Sequence, residues 1–200
     1  MMKFLAFTDI HEDKKALQDL MARAKQPDID FLVCCGDISN FKRGLPVVLK
    51  EFNSLGKKIY VVHGNHEEPE DGFARTVAEY NNWINLHMNV AKVGHYYLLG
   101  YGGGGFARHD PRFRKIAREW YGKYKEQKTI FIHHMPPFGA KLDKLEQGYV
   151  GNKDYTSFIK RMKPKLAISG HLHETFNLMD QIDGTKIINP GFKGMVVELK

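Results

Sequence analysis

Short apolar runs alternate along this chain with stretches in which apolar residues return every three or four positions. MKFLAFT (2–8) reads as a strand, and behind it Ala16, Leu17, Leu20, Met21 and Ala24 fall on one face of a helix that Pro27 closes. DFLVCCG (30–36) reads as a buried strand. Leu45, Val48, Leu49, Phe52 and Leu55 form the next helical stripe, stopped at Gly56, and KIYVVHG (58–64) is a third strand. Residues 91–101 read as β, in hairpin form, and the run Gly102–Gly105 as a flexible loop. Asp110-Pro111 makes a helix start, with Phe113, Ile116, Ala117, Trp120, Tyr121 and Tyr124 on the apolar face. TIFIH (129–133) is a strand, Tyr155–Met162 a short helix and KLAIS (165–169) a further strand. The tail alternates through Thr175–Met179, Lys186–Ile188 and Met195–Leu199, which predicts paired strands with a turn at Asp183-Gly184. This order predicts an α/β fold with a mixed or double sheet.

Composition adds bounds. Two hundred residues, 42% hydrophobic and 26% charged, suit one globular domain spanning 1–200. No apolar run approaches the ~20 residues of a membrane span, so no membrane partner is expected. The start MMKFLAFTDIHED has no small-residue cleavage site and reads as a strand rather than a signal peptide. Cys34 and Cys35 are adjacent, which excludes a disulfide framework or a CxxC zinc site and points to a cytoplasmic home. The net charge of +7 fits either a nucleic-acid footprint or a solvated surface. The basic residues are spread along most of the chain, which favours the surface; the densest stretch, 108–128, has eight Lys/Arg against three Asp/Glu.

Five strand candidates end alike. They run into Asp9 and His11, into Gly36-Asp37, into Gly64-Asn65-His66, into His134, and into Gly170-His171 with His173. One polar residue after a strand is ordinarily just solvated, but five such ends deliver carboxylates, an amide and imidazoles to one sheet edge, where open α/β sheets bind ligands. Oxygen and imidazole donors without thiolate suit divalent Mn, Fe, Zn, Co or Ni. Their number exceeds what one ion needs and fits two ions sharing a carboxylate.

DIH, GD, GNHE, HMPP and GHLH, in this order and with these gaps, resemble the calcineurin-like metallophosphoesterase superfamily, and most of all its small stand-alone prokaryotic members. INPGF (188–192) is similar to a segment common in those members. The resemblance implies a four-layer αββα sandwich with two mixed β-sheets flanked by helices. It implies Asp9, His11, Asp37 and His173 as ligands of one metal ion, and Asp37, Asn65, His134 and His171 as ligands of the other, with Asp37 as the bridge. His66 is then the general acid, a metal-bridging hydroxide is the nucleophile, and the substrate is a small phosphate monoester or diester. Two alternatives remain, a catalytically silent metal-binding scaffold and a nuclease, the second less favoured because nuclease members usually carry capping domains. Asn40 stands where some branches have an aspartate that orients the catalytic histidine, GDISNFKRG gives no basis for phosphate binding by Arg43, and Phe192 replaces a small hydroxyl residue.

Other polar residues have simpler readings. Cys34 and Cys35 read as buried thiols, His63 and His133 as packing or supporting groups, and His87 and His95 as surface residues. Gly102–Gly105 lacks a P-loop ending and is expected at the mouth of the site, followed by Phe106, Arg108 and His109 as candidate substrate contacts. Trp120 and the nearby tyrosines fit a core. Residues 67–90, 102–112 and 138–152 are expected as the loops that select substrate.

Overall fold

In the first strand, β1 (Met2–Phe7), Phe4 and Ala6 face one way and Leu5 and Phe7 the other, and all four are buried. A strand apolar on both faces needs a layer on each side. The structure, a computed structural model describing residues 2–199, supplies both. β2 (Phe31–Cys34), β3 (Ile59–Val61) and β4 (Trp83–Asn85) run parallel to β1 in one sheet. A second sheet contains β5 (Asn89–Val93), β6 (Tyr96–Tyr101) and β7 (Lys128–His133). A short hairpin, β8 (Lys144–Leu145) and β9 (Gly148–Tyr149), stands apart. The second sheet is completed by β10 (Leu166–Ile168), β11 (Met179–Ile182) and β12 (Thr185–Ile188), in the order β11-β12-β10-β7-β6-β5. The last strand, β13 (Met195–Leu199), returns to the first sheet antiparallel to β1. Both sheets are mixed, as expected.

Three apolar spaces separate four layers. Helices α1 (Lys14–Ala24), α2 (Leu45–Asn53) and α3 (Glu70–Ala78) cover the outer face of the first sheet, where Leu20, Leu49, Phe52 and Phe73 meet Leu5, Phe7, Leu32 and Val61. Between the sheets, Phe4, Phe31, Val33 and Val62 meet Leu98, Ile130, Ile132 and Ile168. Helices α4 (Pro111–Tyr124) and α5 (Lys153–Met162) cover the outer face of the second sheet with Phe113, Trp120, Tyr155 and Phe158. The adjacent cysteines divide between layers, Cys34 toward the helices and Cys35 between the sheets. As predicted, Asp110 caps α4 by accepting from the Phe113 amide, with Pro111 in the first turn. No helix among the described residues is long and apolar enough to cross a membrane.

Several sequence expectations change. Residues 67–90 are not one loop, since they contain α3 and β4. Only Phe73 and Val77 of α3 are buried, too short a stripe to stand out, and β4 is three residues at a sheet edge. Thr175–Leu178 is a turn rather than a strand, with Asn177 at φ 63°, and the predicted hairpin begins at Met179. Its turn is where the sequence puts it, with Asp183 and Gly184 both at positive φ. Residues 138–152 hold a 3₁₀ turn and the β8–β9 hairpin.

Burial holds both thiols well above the ordinary cysteine pKa. Neither cysteine is therefore expected to react with a disulfide reagent at pH 8 in the native protein. Both should react once denaturant is added, and a thiol count before and after checks this.

Candidate metal centre

β1, β2 and β3 run parallel, as do β7 and β10, so the segments after them emerge at strand carboxyl ends. The two sheets bring those ends together, and all of the predicted site residues converge there. Asp9 Oδ1 lies 3.8 Å from His11 Nε2 and 3.7 Å from His173 Nε2, and the two nitrogens are 3.2 Å apart. Asp37 Oδ2 lies 3.4 Å from His134 Nε2 and 3.9 Å from both His11 Nε2 and His66 Nε2. Asn65 Oδ1 is 3.1 Å from His134 Nε2. The donors gather into Asp9–His11–His173 and Asp37–His134–His171, with Asp37 also grouped with His11 and His66. Asp37 therefore stands between the two clusters, where a bridging carboxylate belongs.

The donor set fits divalent ions. Ligand atoms about 2.1 Å from a shared ion are about 3.0–3.4 Å apart, and the shorter separations here fall in that range. Asp9 Oδ1 and His171 Nε2 are buried and have no hydrogen-bond partner among the described residues, a costly arrangement that a cation relieves. His134 Nδ1 lies 2.7 Å from the Cys35 carbonyl, which can only accept, so Nδ1 carries a proton and Nε2 is the ring atom turned to the cleft. Burial opposes charge on His134, but the facing Asp37 outweighs it and holds the imidazole pKa up at about 9. Burial likewise pushes Asp37 up, yet His134 pulls it below the usual carboxylate range. His171 is pushed down to about 4 by burial and then by His134. A positive charge in the centre of the cluster is thus favoured by its carboxylates, while His171 stays neutral.

Backbone contacts set this geometry. Asp9 Oδ2 accepts from Thr8 Oγ1 at 2.6 Å and from the His171 amide at 2.9 Å, which ties the end of β1 to the segment after β10. Asp37 Oδ1 accepts from the His66 amide at 2.9 Å. A Cβ on Gly170 would lie 2.0 Å from Thr8 Oγ1, and one on Gly64 would lie 2.0 Å from Asp37 Oδ1. These glycines are needed for close approach, not only for bending.

The buried Glu67 carboxylate accepts from the Asp37 amide (2.8 Å), the Gly64 amide (2.9 Å), the Ser39 amide (3.0 Å) and Ser39 Oγ (2.7 Å). Burial and then Asp37 push its pKa up. Sequence reasoning gave Glu67 no role, although Gly64-x-x-Glu67 has capping-box spacing. Asn189 of INPGF was also missed: its amide donates to the Leu172 carbonyl and Thr175 Oγ1, fixing the turn that carries His173. Phe192 packs against Phe176, which lies against His173.

Other expectations divide. His63 and His133 are buried supporting groups, as read, and His95 is exposed. His87 is not a surface residue. Its ring packs against His63 and Tyr101, its Nδ1 accepts from the Gly102 amide, and burial lowers its pKa to about 4. The glycine run is anchored rather than free, since the Gly103 amide bonds the His63 carbonyl and the Gly104 amide bonds Glu68 Oε1. Asn40 donates to the His11 carbonyl and gives His66 no hydrogen bond, while Phe41 stacks on His66. Arg108 and His109 are engaged by the Tyr149 carbonyl and Asp154; of the three residues named after the glycine run, only Phe106 lines the cleft.

Residues 2–175 match the calcineurin-like phosphoesterase family, and the chain belongs to it. It is 27% identical over 209 residues to the uncharacterized protein MJ1162 of Methanocaldococcus jannaschii, covering 98% of this chain and 91% of that one. The fold is similar to TT1561 of Thermus thermophilus, with a TM-score of 0.79 at 15% identity over 96% of this chain and 90% of the other. It is also similar to a dimetal phosphatase from Danio rerio, with a TM-score of 0.63 at 10% identity over 94% and 86%. The two donor clusters are consistent with the binuclear-metal phosphoesterase chemistry of that family.

Glu67→Gln replaces one acceptor oxygen with a donor and leaves at least one buried donor unpaired. It should cost about 1–3 kcal/mol in denaturant unfolding and weaken metal binding by about 10–100-fold in calorimetry. Gly170→Ala should abolish metal loading at the Asp9 cluster, read as a fall in bound metal per chain by elemental analysis.

Proposed function

We propose that the chain hydrolyses small phosphate esters, monoesters or diesters, with two divalent ions of the Mn, Fe, Zn, Co or Ni type. Asp9, His11, Asp37 and His173 would hold one ion, and Asp37, Asn65, His134 and His171 the other. Such a pair supplies Lewis-acid polarisation of a phosphoryl oxygen and an acidified water at neutral pH. The observation that carries this reading is Asp37 Oδ2, within 3.4–3.9 Å of three imidazole nitrogens from three strand ends.

The chain's own residues then have distinct tasks. The cleft, about 500 Å³, opens on His11, Asp37, Asn65, His66, Phe106 and His171. His66 is a quarter exposed (25%), and its backbone amide is fixed to Asp37, so its ring faces the cleft without being fully enclosed. It donates a proton to the departing ester oxygen as general acid. The Asn65 side chain orients the phosphate beside His134. The dimetal phosphatase from Danio rerio, similar in fold, is in keeping with this chemistry.

Hydrolysis of p-nitrophenyl phosphate and bis-p-nitrophenyl phosphate tests the reading. With Mn²⁺ the wild type should turn over at least one ester, and EDTA should abolish it. His66→Ala should lower kcat by about 10²–10⁴-fold with the bound metal unchanged. Undiminished turnover in that variant would remove His66 from the chemistry, and absence of turnover with every metal would favour a silent scaffold.

A further inference from the structure

Two side chains at the cleft are in an unfavourable setting. Phe41 is 77% exposed and Phe106 63%, the two highest values among the exposed large apolar residues described. Leaving a phenylalanine in water forgoes most of the gain from burying it. Both rings nevertheless lie on site imidazoles, Phe41 stacked on His66 at 4.4 Å and 25°, Phe106 edge-on to His171 at 4.7 Å and 61°. The imidazoles belong to opposite banks, one after β3 and one after β10.

The backbone holds both rings out. Phe41 and Lys42 have φ of 53° and 64°, a left-handed conformation that a bulky residue adopts only when its surroundings impose it. Here Glu12 Oε1 accepts from the Asn40 amide at 2.9 Å, the Arg43 amide bonds the Asn40 carbonyl at 3.1 Å, and Lys42 Nζ bonds the Pro69 carbonyl at 3.0 Å. On the other bank, the amides of Gly102, Gly103 and Gly104 are bonded, and the Ala107 amide closes a turn on the Gly104 carbonyl at 2.9 Å. Phe106 sits at the tip of that turn.

We propose that Phe41 and Phe106 are specificity-determining residues that select phosphate esters whose leaving group carries a flat aromatic ring. This rests on the phosphoesterase reading of the cleft, because the Phe41 ring covers His66, the group that protonates the leaving oxygen. A leaving group departing past His66 meets the Phe41 face, and a flat ring there gains stacking that an alkyl group does not. The ring is bonded directly to the ester oxygen in an aryl ester and lies one sugar away in a nucleotide, and the stacking chemistry is common to both.

Calorimetry on the metal-loaded chain isolates the ring from the phosphate. Phenyl phosphate against methyl phosphate tests the direct ring, and adenosine 5′-monophosphate against ribose 5-phosphate tests the distant one. At least one pair should show a preference of about tenfold for the ring-bearing ligand. Phe41→Ala should erase most of it and Phe106→Ala part of it, with binding of the ring-free partner unchanged and Phe41→Tyr retaining the preference. Both positions are exposed, so these variants should keep the wild-type melting temperature. Equal affinities within both pairs, or a preference that survives both alanine variants, overturns the proposal. Ester turnover without ring preference sinks the selective role of the two rings alone. Ring preference without turnover of any ester sinks the phosphoesterase reading and leaves ring recognition by Phe41 and Phe106 standing.

Discussion

The Glu67 carboxylate accepts four hydrogen bonds in a fully buried position, from the amides of Asp37, Ser39 and Gly64 and from Ser39 Oγ. Through it the segment after β2 is locked to the segment after β3. Asp37 and His66 ride on those two segments, and the His66 amide closes the loop by donating to Asp37 Oδ1. A buried acceptor with every lone pair engaged rigidifies its surroundings, whereas the same group left partly paired would destabilise them. The position of the central carboxylate is therefore set by polar contacts away from the cleft.

The rest of the site concentrates donors without neutralising them internally. Asp9 uses Oδ2 on Thr8 and the His171 amide and leaves Oδ1 bare, and His134 uses Nδ1 on the Cys35 carbonyl. Each group thus commits one atom to position and keeps one for the cleft. Two carboxylates and several imidazoles held this way form a field that favours positive charge, which is visible in the raised His134 and the depressed Asp37. Four of the site residues, Asp9, His11, Asp37 and His171, also have positive φ. Backbone strain at functional positions persists only where the surroundings over-determine it, and here parallel strands, close glycine contacts and Glu67 do so.

The sandwich supplies that rigidity. With three apolar spaces between four layers, the sheet edges that carry the site cannot move independently. The features proposed to be selective lie outside this rigid part, on the turns at Phe41 and Phe106, which are tied by backbone amides rather than by core packing. The candidate metal centre and the proposed selective rings are thus held by different classes of contact.

Much of this was legible in the sequence because it is local. Strand and helix periods identified most of the elements, and the polar residues ending the apolar runs are the groups that the structure gathers at one cleft, since a residue's place at a strand end depends only on nearby sequence. α3 and β4 escaped because two buried residues and a three-residue edge strand leave too weak a period. Tertiary structure decided what depends on residues far apart in the chain. It put His87 against His63, took Asn40 from His66 and gave it to the His11 carbonyl, and sent β13 back to pair with β1. It also gave Glu67 its four donors and turned two exposed phenylalanines toward site histidines. Local sequence determines which groups a segment presents at its end. Which groups face one another across the gap between two sheets is set only when the sheets pack.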